Sequence, residues 1–363
     1  MSEIPSSDPP ASSCDPRVFP PKSSSPDPPA YDALLLVSFG GPERLQDVVP
    51  FLENVVRGKQ VPGHRLAEIV EHYKLFDGVS PINAQIRALL TALVNELATH
   101  GPALPVYWGN RNWHPMLVDT LRQMADDGVR RALAFVTSAF SSYPGCRQYL
   151  EAIEHARLAL GSEAPQVDKI RVFYNHPGFV ETMAERIDAA LAEVPAERRT
   201  AAQIIYTAHS IPVAMAKKSA YEEQLREACR LVSERLGRAD WQLAYQSRSG
   251  PADQPWLEPD AGDYLRNLKE QHRQELRDIV LVPIGFVCEH METVYDLDVV
   301  LAELCAELEI NLVRCATAGC HRRFVQMIRQ LVHERMDPTA PRLALGNRGP
   351  GHDRCPPDCC PPE

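Results

Sequence analysis

From Tyr31 onward, short runs of aliphatic and β-branched residues alternate with amphipathic stretches of helical period. That alternation is the pattern of βα units, in which helical crossovers join parallel strands into open twisted sheets. Strands are expected at 33–39, 105–109, 131–138, 170–175, 204–210, 242–246, 279–286 and 312–316. Eight strands of this kind suit two four-stranded sheets better than one closed barrel. The second set starts near Ala201, after the polar stretch Val194-Pro195-Ala196-Glu197-Arg198-Arg199, where the chain is expected to pass from one half to the other. The first strand of each half ends alike, LLLVSFGGP at 34–42 and IIYTAHSIP at 204–212, each with a serine beside a turn closed by proline. This reads as a duplicated half. Ligands of open α/β sheets bind outside the carboxyl ends of the strands, so Phe39, Arg111, His209, Gln246 and the segment after Phe286 should ring one cleft.

Composition narrows what that cleft serves. With 38 basic and 48 acidic residues the chain carries a net charge of −10, and no cluster of Lys and Arg is present to neutralise a nucleic-acid backbone. No stretch approaches the ~18 uninterrupted apolar residues of a membrane-spanning helix. The first thirty residues hold nine Pro and eight Ser, too little apolar surface to offset chain entropy, and read as a disordered leader over 1–30. They lack the basic start and apolar run of a secretory signal, so a cytoplasmic protein is expected. In that reducing compartment the ten cysteines do not read as a disulfide framework.

The chemistry concentrates at two places. His209 closes an apolar strand and is followed by Ser210-Ile211-Pro212. Further on, a buried strand runs straight into Cys288-Glu289-His290-Met291-Glu292-Thr293-Val294-Tyr295-Asp296. If helical from Cys288, this segment puts Glu289, Glu292 and Asp296 on one face. Three carboxylates stacked there repel one another unless a cation or protons sit between them. An imidazole facing such a row can bind a borderline divalent metal or shuttle protons near neutral pH. Exchange of two pyrrole protons for a metal ion needs both.

These residues also carry a resemblance. TAHSIP (207–212), YQSRSGPADQPWLEPD (245–260) and PIGFVCEHMETVYDLD (283–298) resemble the three main motifs of ferrochelatases, enzymes that insert ferrous iron into a porphyrin. SFGGP (38–42), DGVSPIN (77–83), GNRNWHP (109–115) and NHPGFVE (175–181) extend the resemblance over nearly the whole chain from Tyr31 to about Arg335, and the pattern looks most like the actinobacterial members, which act on coproporphyrin III. The resemblance implies an α/β protein with two Rossmann-like, chelatase-type domains of parallel sheet around a porphyrin cleft, at 31–200 and 201–337. It implies His209 and Glu292 as the pair that holds iron and takes pyrrole protons, His290 as a second histidine, and Glu289 and Asp296 as accessory acids. Ser80, Tyr149, Arg111, Asn112 and Trp113, with His114, match porphyrin-lining positions. Two departures stand out: Cys288-Glu289 replaces a common Ser-Asp pair, and Val299-Val300 ends the acidic row at Asp296. Phe39 stands where firmicute relatives have an iron-ligating tyrosine, so product iron must find another axial group or none.

Most of Cys229, Cys288, Cys305, Cys315 and Cys320 read as buried thiols, and Cys14 falls in the leader. Cys146, in SYPGC, and Cys355, Cys359 and Cys360, in the tail over 338–363, read differently. Adjacent cysteines bridge each other only with strain, so Cys359-Cys360 favours thiolate ligation to a shared centre. One body thiol and three tail thiols make the four a [2Fe–2S] cluster takes, and actinobacterial ferrochelatases resemble this chain in that set. A tetrahedral zinc site would use the same residues. The tail has so few apolar residues that a metal centre is expected to be what staples it to the body. The function expected is a cytoplasmic, monomeric coproporphyrin III ferrochelatase, with ferrous iron as substrate, a [2Fe–2S] cofactor and a downstream haem-pathway enzyme as recipient. Protoporphyrin IX ferrochelatase, another tetrapyrrole chelatase and a non-catalytic haem or iron carrier are the alternatives.

Overall fold

The computed structural model describes residues 17–19, 31–58, 61–250, 253–272 and 276–362. Among them run ten strands: β1 (Arg17–Phe19), β2 (Ala33–Ser38), β3 (Val106–Asn110), β4 (Arg131–Val136), β5 (Gln166–Lys169), β6 (Gln203–His209), β7 (Trp241–Gln246), β8 (Asp278–Val282), β9 (Asn311–Arg314) and β10 (Arg342–Ala344). Two four-stranded sheets form, in the orders β3-β2-β4-β5 and β7-β6-β8-β9, and every pairing within them is parallel. Both sheets thus run second, first, third, fourth strand, the same permutation in each half. β2 and β8 are buried along their whole length, which is why they carry the unbroken apolar runs 33–37 and 279–282 instead of alternating.

Alternate side chains of each strand serve two layers. Leu34, Leu36 and Phe135 of the first sheet and Tyr206, Val280 and Val282 of the second contribute to one core, together with Phe173, Phe179, Leu225 and Phe324. The helices Ile82–His100, Pro177–Glu193, Tyr221–Arg235 and Arg322–Met336 fill it. Leu35 and Val37 face the helices Leu117–Asp126 and Gln148–Leu160 on the other side, and Ile205 and Leu281 face Ala261–His272 and Leu301–Glu307. The expected passage near Ala201 falls between the helix Pro177–Glu193 and β6, but packing does not break there: that helix belongs to the core shared by both sheets.

Two expected strands end elsewhere. The run 170–175 was expected to pair, yet the ladder is carried by the polar β5 just before it, at the sheet edge, while Ile170, Val172, Phe173 and Tyr174 are buried as irregular chain in the shared core. Their apolarity reports burial, not pairing. β8 stops at Val282 and not at 286, because Pro283 has no N–H to give the ladder.

The leader expected over 1–30 lies outside the described residues except for β1, which pairs antiparallel with β10 of the tail. The tail also docks differently from expectation. Leu345 N–H donates to the Asn175 carbonyl at 2.8 Å, and Asn175 Nδ2 donates to the Gly349 carbonyl at 2.8 Å. Arg171 and Glu334, only 1% and 3% exposed, form a buried pair (Nε–Oε1 2.9 Å). Arg171 Nη2 also donates to the Leu343 carbonyl at 2.8 Å. Arg342 of β10 reaches Glu334 at 3.1 Å and Asp353 at 3.5 Å. Charges and carbonyls replace the apolar surface the tail lacks. Removing one member of a buried pair strands the other, at a cost of about 3–5 kcal/mol. Arg171→Leu should lose stability of that order in denaturant unfolding, and adding Glu334→Leu should restore part of it. A single-variant loss below about 1 kcal/mol would contradict this account of the tail.

Candidate active site

In the first half the site is built on the turns that follow β2 and β3. Ser80 is held by its N–H to the Pro42 carbonyl at 2.8 Å, and its Oγ lies where a Cβ on Gly41 would intrude at 2.8 Å, so the glycine makes room for it. The Arg111 guanidinium lies between the rings of Phe39 and Tyr149, at 5.1 and 5.2 Å from their centroids. Its Nη1 donates weakly to the Pro144 carbonyl at 3.5 Å, and no carboxylate among the described residues forms an ion pair with it. A desolvated cation without a counter-ion is a receptor for an incoming carboxylate. Tyr149 is 5% exposed and serves as a platform under that cation.

Asn112 and Trp113 take structural roles here. Asn112 Nδ2 donates to the Phe39 carbonyl at 3.3 Å, and the Asn112 carbonyl accepts from Asn54 Nδ2 at 3.1 Å. Trp113 packs edge-on against Phe51, in a small cluster with Val48, Leu52, Tyr73 and Met291. Through that cluster the helices Leu45–Val55 and Gly63–Lys74 reach across to the other half, where His72 stacks on Tyr295 at 3.8 Å. Neither that stack nor the roof it forms was visible in the sequence, since His72 and Tyr295 belong to segments far apart in the chain.

In the second half the registers place the chemistry. β8 ends with Val282 opposite Tyr206, whereas β6 continues to His209 opposite Gln246. The chain leaving β8 therefore turns beside the end of β6, with Gly285 N–H donating to the Thr207 carbonyl at 3.0 Å. A Cβ at Gly285 would stand 2.7 Å from Ala208 Cα, so only glycine allows this approach. Glu292 is thereby brought to 3.6 Å from His209 (Oε2–Nε2). His209 Nδ1 donates to the Ser210 carbonyl, which fixes the proton on Nδ1 and leaves the Nε2 lone pair toward Glu292.

The row of three carboxylates does not form. The helical turn starts at Met291, capped by His290, so Glu289 lies before it and turns to Arg314. Asp296 remains near Glu292, held by the Ser247 hydroxyl and by Gln246 Nε2 at 3.4 Å. The wide turns over Val294–Val300 are π-helical, a form that concentrates at functional sites. Burial pushes the Asp296 carboxyl up to about 6, against the Ser247 hydrogen bond and with Glu292 adding to the rise. Burial also keeps His290 neutral, its ring edge-on to Phe286 at 4.7 Å. Ser247 and Arg314 were missed by the sequence reading; Ser247 lay within a recognised motif, but Arg314 carried no local signal.

The four singled-out cysteines are also brought together. Cys146, on the turn Tyr143–Arg147, is hydrogen-bonded to Cys355, and that bond with the Lys169 ammonium draws the Cys146 thiol well below its usual range. Cys359 and Cys360 have their sulfurs 3.7 Å apart. His352, not anticipated, stands with Nε2 3.7 Å from the Cys359 sulfur, and His352, Cys355 and Cys359 present donor atoms all within 4.8 Å of one another.

Two parallel sheets of the same strand order, with a histidine and carboxylates beyond the carboxyl ends of neighbouring strands, define a chelatase-type protein. The fold is similar to that of SirB from Bacillus subtilis with Fe3+, at a TM-score of 0.54 and 11% identity over 85% of this chain and 96% of that one. The ferrochelatase family model matches residues 31–336. A ferrochelatase of Rhodopirellula baltica is 53% identical over 92% of this chain and 94% of its own. Coproporphyrin III ferrochelatases of Streptomyces coelicolor and Frankia alni are each 49% identical, over 91% and 92% of this chain and 93% and 87% of theirs. The chain belongs to the ferrochelatase family.

Asp296 gives the site a pH signature. Its folded pKa of about 6 stands above the ordinary carboxyl value of 3.8, so the folded state binds more protons and ionising Asp296 costs stability. That cost is absent below about pH 4 and fully present above about pH 6. Asp296→Asn should melt a few degrees above wild type at pH 7 and level with it near pH 4, while turning over more slowly at neutral pH. Melting curves that coincide at pH 7 would count against a raised Asp296.

Proposed function

We propose that the protein is a lyase that inserts ferrous iron into coproporphyrin III in haem biosynthesis. The observation that carries the reading is the His209–Glu292 pair at the carboxyl end of β6, with Asp296 next in line. The iron is substrate: it meets the Nε2 lone pair of His209 and a Glu292 oxygen. Insertion exchanges one Fe2+ for two pyrrole protons, and a carboxylate beside the metal can take one while a second carboxylate of near-neutral pKa relays it outward. Glu292 and Asp296 supply those two positions. The bare guanidinium of Arg111, across the cleft, receives a propionate, with the Ser80 hydroxyl as a further donor. The coproporphyrin III ferrochelatases among its relatives support a tetracarboxylate substrate over a dicarboxylate one. The reading carries with it a cytoplasmic monomer that hands its product to a following haem-pathway enzyme. No helix among the described residues is long and apolar enough to cross a membrane.

His209→Ala and Glu292→Gln should each lower iron insertion at least a hundredfold while leaving porphyrin fluorescence quenching on binding intact. In competition, coproporphyrin III should show the higher kcat/KM. Preference for protoporphyrin IX would move the assignment to that substrate, and retention of most turnover by either variant would remove the pair from the chemistry.

The same reading gives Cys146, Cys355, Cys359 and Cys360 a [2Fe–2S] cluster. One spacing supports the reading: thiolates about 2.3 Å from one metal stand roughly 3.7 Å apart in a tetrahedron, as the Cys359 and Cys360 sulfurs do, although the donors found within 4.8 Å of one another among the described residues are those of His352, Cys355 and Cys359. Cys146 and Cys355 form the opposing hydrogen-bonded pair, with the Lys169 charge favouring thiolate. When bound, the cluster adds a covalent cross-link between the tail and the turn Tyr143–Arg147. Because β10, Arg342 and Asp353 already dock the tail, its loss should loosen the tail without unfolding the chain. Cys359→Ser should therefore abolish the visible iron–sulfur bands and lower Tm by several degrees. Stoichiometric zinc in colourless wild-type protein would assign the thiols to a tetrahedral zinc site instead.

A further inference from the structure

Glu292 and Asp296 sit on a segment whose geometry is intrinsically soft. One short turn, Met291–Thr293, leads into seven residues of π-helical chain, Val294–Val300, whose wide turns hold their shape less firmly than α-helix. Both ends of this segment meet one side chain. Arg314, the last residue of β9, contacts Glu289 just before the turn (Nη2–Oε2 2.5 Å) and Asp298 within the π-helical stretch (Nε–Oδ1 3.0 Å). Arg314 and Glu289 are 18% and 16% exposed, so their contact is sheltered from the screening that weakens surface pairs, whereas Asp298 is 39% exposed and holds the outer side of the same guanidinium. Glu289 is fixed further: its Oε1 accepts from the Thr317 N–H at 3.1 Å, and its own N–H donates to Gln85 Oε1 at 2.9 Å. Each oxygen of the Glu289 carboxylate thus already accepts one hydrogen bond, which ties the group to Arg314 and Thr317.

We propose that Arg314 is a positioning residue for iron insertion: it clamps Glu289 on one side and Asp298 on the other, and so fixes the intervening His290, Glu292 and Asp296 against His209. The clamp also balances charge. One guanidinium faces two carboxylates, and without it Glu289 and Asp298 would join Glu292 and Asp296 as four acidic groups on a short, partly buried stretch. Their repulsion would spread the segment and draw Glu292 away from the 3.6 Å contact with His209. Arg314 acts on the metal end of the cleft only, since the porphyrin-facing Arg111 and Ser80 lie on turns of the other sheet.

The inference rests on the ferrochelatase reading, and the experiment separates the two. Wild-type turnover tests the reading; the pattern among variants tests the clamp. Arg314→Met should raise KM for ferrous iron at least tenfold, with KM for the porphyrin within twofold of wild type. Arg314→Lys, which keeps the charge but not the two-sided fork, should fall between them and carries the same split if the methionine variant folds poorly. Adding Glu289→Gln to Arg314→Met removes the stranded carboxylate and should recover at least threefold of the lost iron affinity. If Glu289 instead feeds iron to the site, the double variant will be worse than the single, and the clamp is overturned. Hydrogen exchange of amides 290–300 gives a readout independent of activity: protection should fall in Arg314→Met, and unchanged protection would refute the clamp even if the enzyme assignment stood.

Discussion

The site depends on a difference of register. β6 outruns β8, so that His209 projects beyond its neighbour, and Pro283 ends β8 where the chain can turn into the space left beside it. Gly285 then lets that chain lie against the β6 backbone at a distance no side chain would permit. Everything that follows, including the meeting of His209 with Glu292 and the position of Asp296, hangs on this approach of two backbones. It is strand pairing and a missing Cβ, more than any attraction between the functional groups, that assembles the pair.

Charge is then divided across the cleft. One half presents Arg111, half-buried between two rings and ion-paired with no carboxylate among the described residues; the other presents an imidazole and two carboxylates, one of them with its pKa raised by burial. A planar ligand with acidic edges and protonated nitrogens at its centre is matched at both places. The two roof helices tie these halves together through Met291 and the His72–Tyr295 stack, so the cleft is bounded by contacts from both sheets.

The tail shows how a segment poor in apolar residues is ordered. Burial would not offset the entropy of fixing its backbone, but an antiparallel strand pair, side-chain amides donating to its carbonyls and the Arg171–Glu334–Arg342–Asp353 network do. Docked in this way, the tail brings Cys355 against Cys146, itself a buried member of the shared core. The tail thus has docking contacts besides its thiols, where the sequence had suggested a metal centre as its staple.

The sequence by itself determined the two parallel sheets, because continuous apolar runs separated by helical periods admit little else, and it singled out His209 and Glu292, whose motifs are local and whose side chains the fold brings to within 3.6 Å of each other. It could not determine which run pairs: 170–175 is the apolar stretch, yet the polar β5 just before it lies beside β4 and carries the ladder. Nor could it say which of three evenly spaced carboxylates are free. Glu289 looked equivalent to Glu292 and Asp296 in helical spacing, and only the tertiary structure, by bringing Arg314 from another βα unit, removes it from the row. Arg314, His72, His352 and Lys169 were likewise invisible, since a residue whose role is to meet another across the fold leaves no pattern in its own neighbourhood. Periodicity records what a residue is buried against on average; the identity of its partner is a property of the assembled chain.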